Sequence, residues 1–143
     1  MEKTSENVLS YDSASPQVKR MLDDRFVCEL LGIELLEAEP KKARARLRLT
    51  ERHLNGVGIV QGGVLFTLAD YTFAAACNYT ENPIVGIETS MSFLRSSKSG
   101  VIYAEATEVS RSRALCCAEV NVTDESGNLL ARFTGRGYVF SPR

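Results

Sequence analysis

The feature that most constrains this fold is the run at residues 64–78, rich in alanine, leucine and phenylalanine and opened by Gly62 and Gly63. Its composition predicts one long helix that is apolar almost all round. Such a helix has no wet face to offer, so it must be buried on most sides. It is too short to span a bilayer and is interrupted by Thr67, Asp70 and Thr72. A chain of 143 residues holds one domain's worth of core, so the covering layer must come from the same domain.

That layer reads as β-sheet. Residues 33–39 form a short strand ending at Pro40, and residues 43–49 alternate small or apolar side chains with Arg44, Arg46 and Arg48 on the wet face. After the helix, residues 84–94, 101–109, 114–123 and 129–140 read as strands, with turns at 95–100 and 124–128. Upstream, Ser15 and Pro16 begin a helix carrying Val18, Met21, Leu22, Phe26 and Leu30, with Gly32 as its stop. Residues 1–14 are polar and aperiodic, a mobile tail before a single domain at 15–143. An antiparallel sheet wrapped around one hydrophobic helix, an α+β fold, accounts for this order most economically.

The net charge of -1 gives no global reason to expect nucleic acid or an anionic membrane as partner. The N-terminus lacks the basic-then-apolar layout of a signal peptide, so a soluble, cytoplasmic protein is expected. The four cysteines (Cys28, Cys77, Cys116, Cys117) form no CxxC pair, and His53 is the sole histidine. The cysteines read as reduced thiols, with no metal and no cofactor expected. Cys116 and Cys117 should face opposite sides of their strand.

Chemistry concentrates between Asn55 and Asp70. Asp70 lies inside the apolar helix, too deep to be an N-cap, where an ionised carboxylate is costly to bury. A carboxylate so placed either meets a partner or has a task that needs a perturbed pKa. Gly62 and Gly63 leave the helix N-terminus without side chains, so its backbone N–H groups can approach a substrate oxygen closely. Asn55 and Gln61 add amides able to orient a water or a carbonyl.

The stretch Asn55-Gly56-Val57-Gly58-Ile59-Val60-Gln61-Gly62-Gly63, followed by Leu68-Ala69-Asp70, resembles the hotdog-fold thioesterases of the phenylacetic-acid-degradation (PaaI) type. Ser92-Phe93-Leu94-Arg95 with Gly100, and Asp124-Glu125-Ser126-Gly127-Asn128 through Thr134-Gly135, are also similar to that family. The resemblance covers about residues 26–140 and implies a hotdog fold and hydrolysis of an acyl-CoA thioester. It implies Asp70 as general base or nucleophile, the Gly62 amide as carbonyl-polarising donor, and Asn55 holding the water or carbonyl. The family carries histidine where this chain has Gln61, which keeps a donor and an acceptor but cannot titrate near neutral pH. The family's serine or threonine on the strand after the helix aligns with Gly86, and Thr89 and Ser90 are alternatives the sequence leaves open.

Gly62 and Asp70 are eight residues apart, about 12 Å along a helix. One helix therefore cannot bring both to one carbonyl, while two antiparallel copies can. A homodimer is expected, and the resemblance extends this to a dimer of dimers. For the nucleotide end of the substrate the candidates are Arg95, Lys98, Arg111 and Arg113, with Gly63 beside the carbonyl. Phe66, Tyr71, Phe73, Tyr79 and Phe93 could line an aromatic or aliphatic pocket. The alternatives are a non-catalytic acyl-CoA binder, with Gln61 the mark of lost catalysis, or a hydratase or dehydratase of the same fold, which would call for a histidine in the site.

Overall fold

A computed structural model describes residues 6–141. Helix α1 (Pro16–Leu22) begins as expected, with the Ser15 hydroxyl accepting the Val18 N–H at 3.2 Å and Pro16 in the first turn. It does not run on to Gly32. The Asp24 carboxylate accepts the Val27 N–H at 3.1 Å and restarts the chain as a π-helical turn, Phe26–Leu30. A short acidic side chain competing for backbone donors is the physical reason for the break. Residues 1–5 of the expected tail lie outside the described residues. Residues 6–14 form no helix or strand, yet the Leu9 N–H donates to the Leu35 carbonyl at 3.0 Å and Glu6 pairs with Arg44.

The strands are β1 (Glu34–Glu39), β2 (Lys42–Arg48), β3 (Ile84–Phe93), β4 (Val101–Arg111), β5 (Leu115–Asp124) and β6 (Leu129–Val139). They form one six-stranded antiparallel sheet in the order β1-β2-β4-β5-β6-β3. Helix α2 (Gly62–Cys77) packs on its inner face. Leu68 and Phe73 of α2 are fully buried with Ile102, Val120, Val122, Leu130 and Phe133, and the Phe73 and Phe133 ring centroids are 5.8 Å apart. Each such side chain is worth about 1.5–3 kcal/mol when withdrawn from water. Cys116 faces this core and Cys117 is half-buried, the alternation expected of neighbours in a strand.

Two features of this frame bear on function. The sheet covers most of α2 but leaves one stripe, Gly63, Phe66, Thr67, Asp70 and Ala74, half-buried or exposed. These positions recur at three- and four-residue steps and therefore share a face. Strand β3 lies at the sheet edge and pairs only with β6 among the described residues, with Val85, Ile87 and Phe93 exposed along it.

Candidate active site

The loop before α2 is shaped by Asn55. Its side-chain oxygen accepts the Val57 N–H at 3.0 Å and the Ile59 N–H at 3.3 Å, and Gly58 completes the reversal at φ +84°. A left-handed residue there favours glycine. The Asn55 carbonyl is thereby spent on the loop, and its NH2 group remains to donate. The loop delivers Gln61 as the N-cap of α2, but its side chain caps nothing and is exposed. Among the described residues the backbone N–H groups of Gly62 and Gly63 meet no acceptor, whereas those of Val64 and Leu65 fold back on the Gln61 carbonyl.

Gly62 opens into a cavity of about 330 Å³ with Asn55, Leu65, Phe93, Arg95 and Ser96 in its wall. A Cβ at Gly62 would stand 3.4 Å from the Phe93 ring, an ordinary contact, so the space beside the amide is bounded by that ring. Helix start, free amide and Asn55 thus converge on one concavity, suited to a negatively charged or polarised oxygen.

Asp70 lies elsewhere. Its carboxylate is half-buried on the open stripe of α2 and has no hydrogen bond or ion pair among the described residues. Burial alone pushes its pKa above the ordinary carboxylate range. It faces a second cavity, against β3, lined by Phe66, Gly86, Ile87, Glu88 and Thr89. The two cavities share no lining residue, so one chain presents the two halves of the expected site separately.

Of the two hydroxyls left open in the sequence, the strand register puts one on the side of Asp70. Gly86 pairs with Gly137, Glu88 with Arg136 and Thr89 with Gly135, so Ile87 is the extra residue of a β-bulge. Directly paired residues share a face. Gly135 and Gly137 lie on the buried face of β6, and Arg136 on the exposed one. The bulge therefore turns Thr89 towards Asp70 and Ser90 away, the re-aiming that bulges perform beside functional sites. Gly86 has no hydroxyl to offer.

The cationic candidates separate. Arg95 lines the Gly62 cavity and Lys98 is exposed on the same loop. Arg111 is at the opposite end of α2 and already committed. Its Nε donates to Glu108 at 2.8 Å, its second guanidinium nitrogen to the Cys77 carbonyl at 2.5 Å, and its plane sits 4.4 Å from the Tyr79 ring centre. The expectation that Arg111 holds the substrate gives way to a fold role: it caps the helix C-terminus and neutralises a Glu108 side chain that is 1% exposed. Arg113 is exposed in the neighbouring turn.

Sequence reasoning missed the rest of that cluster. Tyr79 donates to Glu108 at 2.5 Å, and burial followed by that bond pushes its pKa up to about 12. The sulfurs of Cys77 and Cys116 lie within 4.8 Å of a Glu108 oxygen, a spacing that would admit a metal ion. The donor set does not fit one: both Glu108 oxygens are engaged, Arg111 adds a positive charge, and burial raises both thiols. His53 is buried away from both cavities. Its Nδ1 accepts the Thr50 N–H at 2.9 Å, leaving Nε2 to donate to the Leu31 carbonyl at 2.8 Å. A hydratase-type histidine is therefore not supplied by this residue.

A six-stranded antiparallel sheet curled about one long apolar helix is the hotdog fold. The thioesterase superfamily model matches residues 57–131, more than half of the chain. The chain belongs to that superfamily. It is 31% identical to the 1,4-dihydroxy-2-naphthoyl-CoA hydrolase of Listeria monocytogenes, over 71% of this chain and 85% of that protein. It is 28% identical to human acyl-coenzyme A thioesterase 13, over 80% and 86% of the two. The structure of the PaaI protein of the Escherichia coli phenylacetic acid degradation operon superposes with a TM-score of 0.83 at 25% identity, over 87% of this chain and 91% of that one.

Proposed function

We propose that this chain is an acyl-CoA thioesterase whose active site is completed by a second copy of itself, with Asp70 of one copy facing Gly62 and Asn55 of the other. The observation that carries this is the unpartnered carboxylate. Asp70 is held half-buried, with its pKa raised, in a family that hydrolyses thioesters, while the free Gly62 amide opens into a separate cavity of the same chain.

In this reading the Gly62 N–H, reinforced by the helix dipole, holds the thioester oxygen as it gains charge. Asp70 takes a proton from a water while the water oxygen bonds to the carbonyl carbon. Collapse of the intermediate breaks the carbon–sulfur bond, and the proton passes to the departing CoA sulfur. Direct attack by Asp70, forming an acyl anhydride that water then opens, uses the same geometry. A raised carboxylate pKa suits either role, since it brings basicity closer to neutral pH. Thr89 orients the water or the Asp70 carboxylate from the bulged strand. Arg95, in the wall of the Gly62 cavity, and Lys98, on the same loop, receive the nucleotide end, and Gly63, exposed in the first turn of α2, lets the substrate pass close to the helix start.

Support for the second copy comes from two surfaces. The open stripe of α2 is apolar apart from Asp70 and Thr67, and the β3 edge presents unpaired backbone groups with exposed Val85, Ile87 and Phe93. A strand edge of that length and composition is a template for pairing with another chain. A homodimer closed through β3, and a dimer of dimers beyond it, belong to this proposal. A cytoplasmic setting also belongs to this proposal. The test is a hydrolysis screen of acetyl-, octanoyl-, palmitoyl- and benzoyl-CoA with release of free thiol as readout. Turnover of at least one is expected, and saturable binding of CoA esters without thiol release would make the chain a binder instead.

A further inference from the structure

We propose that the acyl group lies in a third cavity, on the side of Asp70 away from β3, that this cavity selects apolar acyl groups of medium size, and that Ala74 sets its depth. The inference rests on the thioesterase reading above. Phe66 and Asp70 line two cavities at once: the one against β3, and an open-sided one of about 240 Å³ beside the N-terminal segment, walled there by Met21, Phe26 and Val27. The carboxylate therefore stands at a junction. A carbonyl held on the β3 side would send its acyl tail past Asp70 and along this wall.

The walls say what the tail can be. Phe66, Asp70 and Ala74 follow one another at four-residue steps on α2, so Ala74 lies about 6 Å further along the helix than Asp70. Apart from Asp70 itself, the polar side chains around the cavity each make a hydrogen bond within the protein. Thr67 donates to the Gly63 carbonyl at 2.8 Å, Tyr71 to the Met21 carbonyl at 3.0 Å, and Asp24 accepts from Val27 at 3.1 Å. Beyond the two carboxylates, Asp70 at the junction and Asp24 at the rim, the wall offered to a ligand is carbon: Met21, Phe26, Phe66, the Tyr71 ring and Ala74. A site of this kind recognises shape and apolar area, not hydroxyl pattern. At roughly 30 Å³ per water-sized group, the cavity holds about eight carbons. The N-terminal wall includes a π-helical turn, a conformation frequent at functional sites, and Phe26 at its rim is 55% exposed, an apolar surface that a bound tail would cover.

Ala74→Phe fills the far end from the helix side. In the full chain, kcat/KM should rise about fourfold per methylene from acetyl- to octanoyl-CoA. Ala74→Phe should erase at least tenfold of the octanoyl-to-butanoyl preference. The same comparison is made by calorimetry with the non-hydrolysable thioethers S-ethyl-CoA and S-octyl-CoA, which reads the pocket without catalysis. If no ester is hydrolysed but S-octyl-CoA binds tighter than S-ethyl-CoA, and Ala74→Phe removes the difference, the pocket stands and the thioesterase reading falls. If the wild type hydrolyses acyl-CoA and a folded Ala74→Phe protein keeps the same chain-length ratio in both assays, the pocket is overturned. Should Ala74→Phe fail to fold, Met21→Ala is used, which enlarges the cavity. A shift of the optimum to longer chains supports the assignment, and an unmoved optimum overturns it.

Discussion

Replacing Arg111 with alanine separates a substrate arginine from a structural one. In this fold the side chain is 19% exposed and Glu108 is 1% exposed, so the substitution leaves a buried carboxylate facing Tyr79 alone. It also strips the cap from the Cys77 carbonyl at the end of α2. Removing one partner of a buried ion pair costs about 3–5 kcal/mol, because the remaining charge is left uncompensated. For a domain of this size each kcal/mol lowers Tm by about 4 °C, so the expected fall is roughly 12–20 °C. Adding Glu108→Gln to Arg111→Ala should restore part of the loss, since the stranded charge is gone while Tyr79 keeps an acceptor. Arg95→Ala, in the wall of the Gly62 cavity, should do the opposite: KM for acyl-CoA rises and Tm hardly moves, the pattern of lost binding remote from the reacting centre. Thermal unfolding and steady-state kinetics on the same preparations decide the matter. An Arg111→Ala protein that melts like wild type but binds CoA esters weakly would refute the structural role argued for it.

Asp70→Asn removes basicity at nearly constant shape and should lower kcat about 10²–10⁴-fold, the range of a general acid–base group. Because burial raises the Asp70 pKa in the folded state, the protonated form favours folding; that contribution is present below the unfolded carboxylate pKa and is lost as pH rises through the folded value. Asp70→Asn should therefore raise Tm at neutral pH and leave it unchanged at low pH, and a lower Tm at neutral pH would contradict the burial penalty. In the wild type the acid limb of kcat/KM should fall at a pH above the ordinary carboxylate pKa of about 4; a limb at or below it would contradict the raised value. Thr89→Val should lower kcat while Ser90→Ala leaves it unchanged, as the bulge at Ile87 requires, and the reverse ranking would mean that the strand register at the site is wrong. Gln61→His should retain turnover and add a dependence on pH near 6.5; abolished activity would show that Gln61 has a task histidine cannot perform.

The parts of this account legible in the sequence are those fixed by local pattern. Alternation at residues 43–49 set β2 on its correct faces, and the apolar run containing Asp70 fixed both α2 and the residue out of keeping with it. What stayed hidden depends on partners far away in the chain. The bulge that aims Thr89 is set by the pairing of β3 with Gly135, Arg136 and Gly137, so a two-residue periodicity counted from Ile84 points the wrong way past Gly86. Arg111 looks like a free turn cation until Glu108 and the Cys77 carbonyl are placed beside it. The break after Leu22 is marked by one Asp24 side chain, whose bond to the Val27 N–H opens the π-helical turn that walls the cavity by Phe66 and Ala74, and helical spacing alone runs straight through it.

The central claim is that one catalytic site draws Asp70 from one chain and the Gly62 amide from another, and subunit mixing tests it most directly. Gly62→Pro deletes the proposed N–H donor at the first helical position, where proline is well tolerated. Asp70→Asn deletes the base. Each protein alone should be inactive. Dissociating and reassociating an equal mixture gives random pairing, in which half of the dimers carry one intact composite site, so activity should return to about one quarter of wild type. A mixture that stays as inactive as its parents, although mixed dimers are shown to have formed, would contradict the shared site.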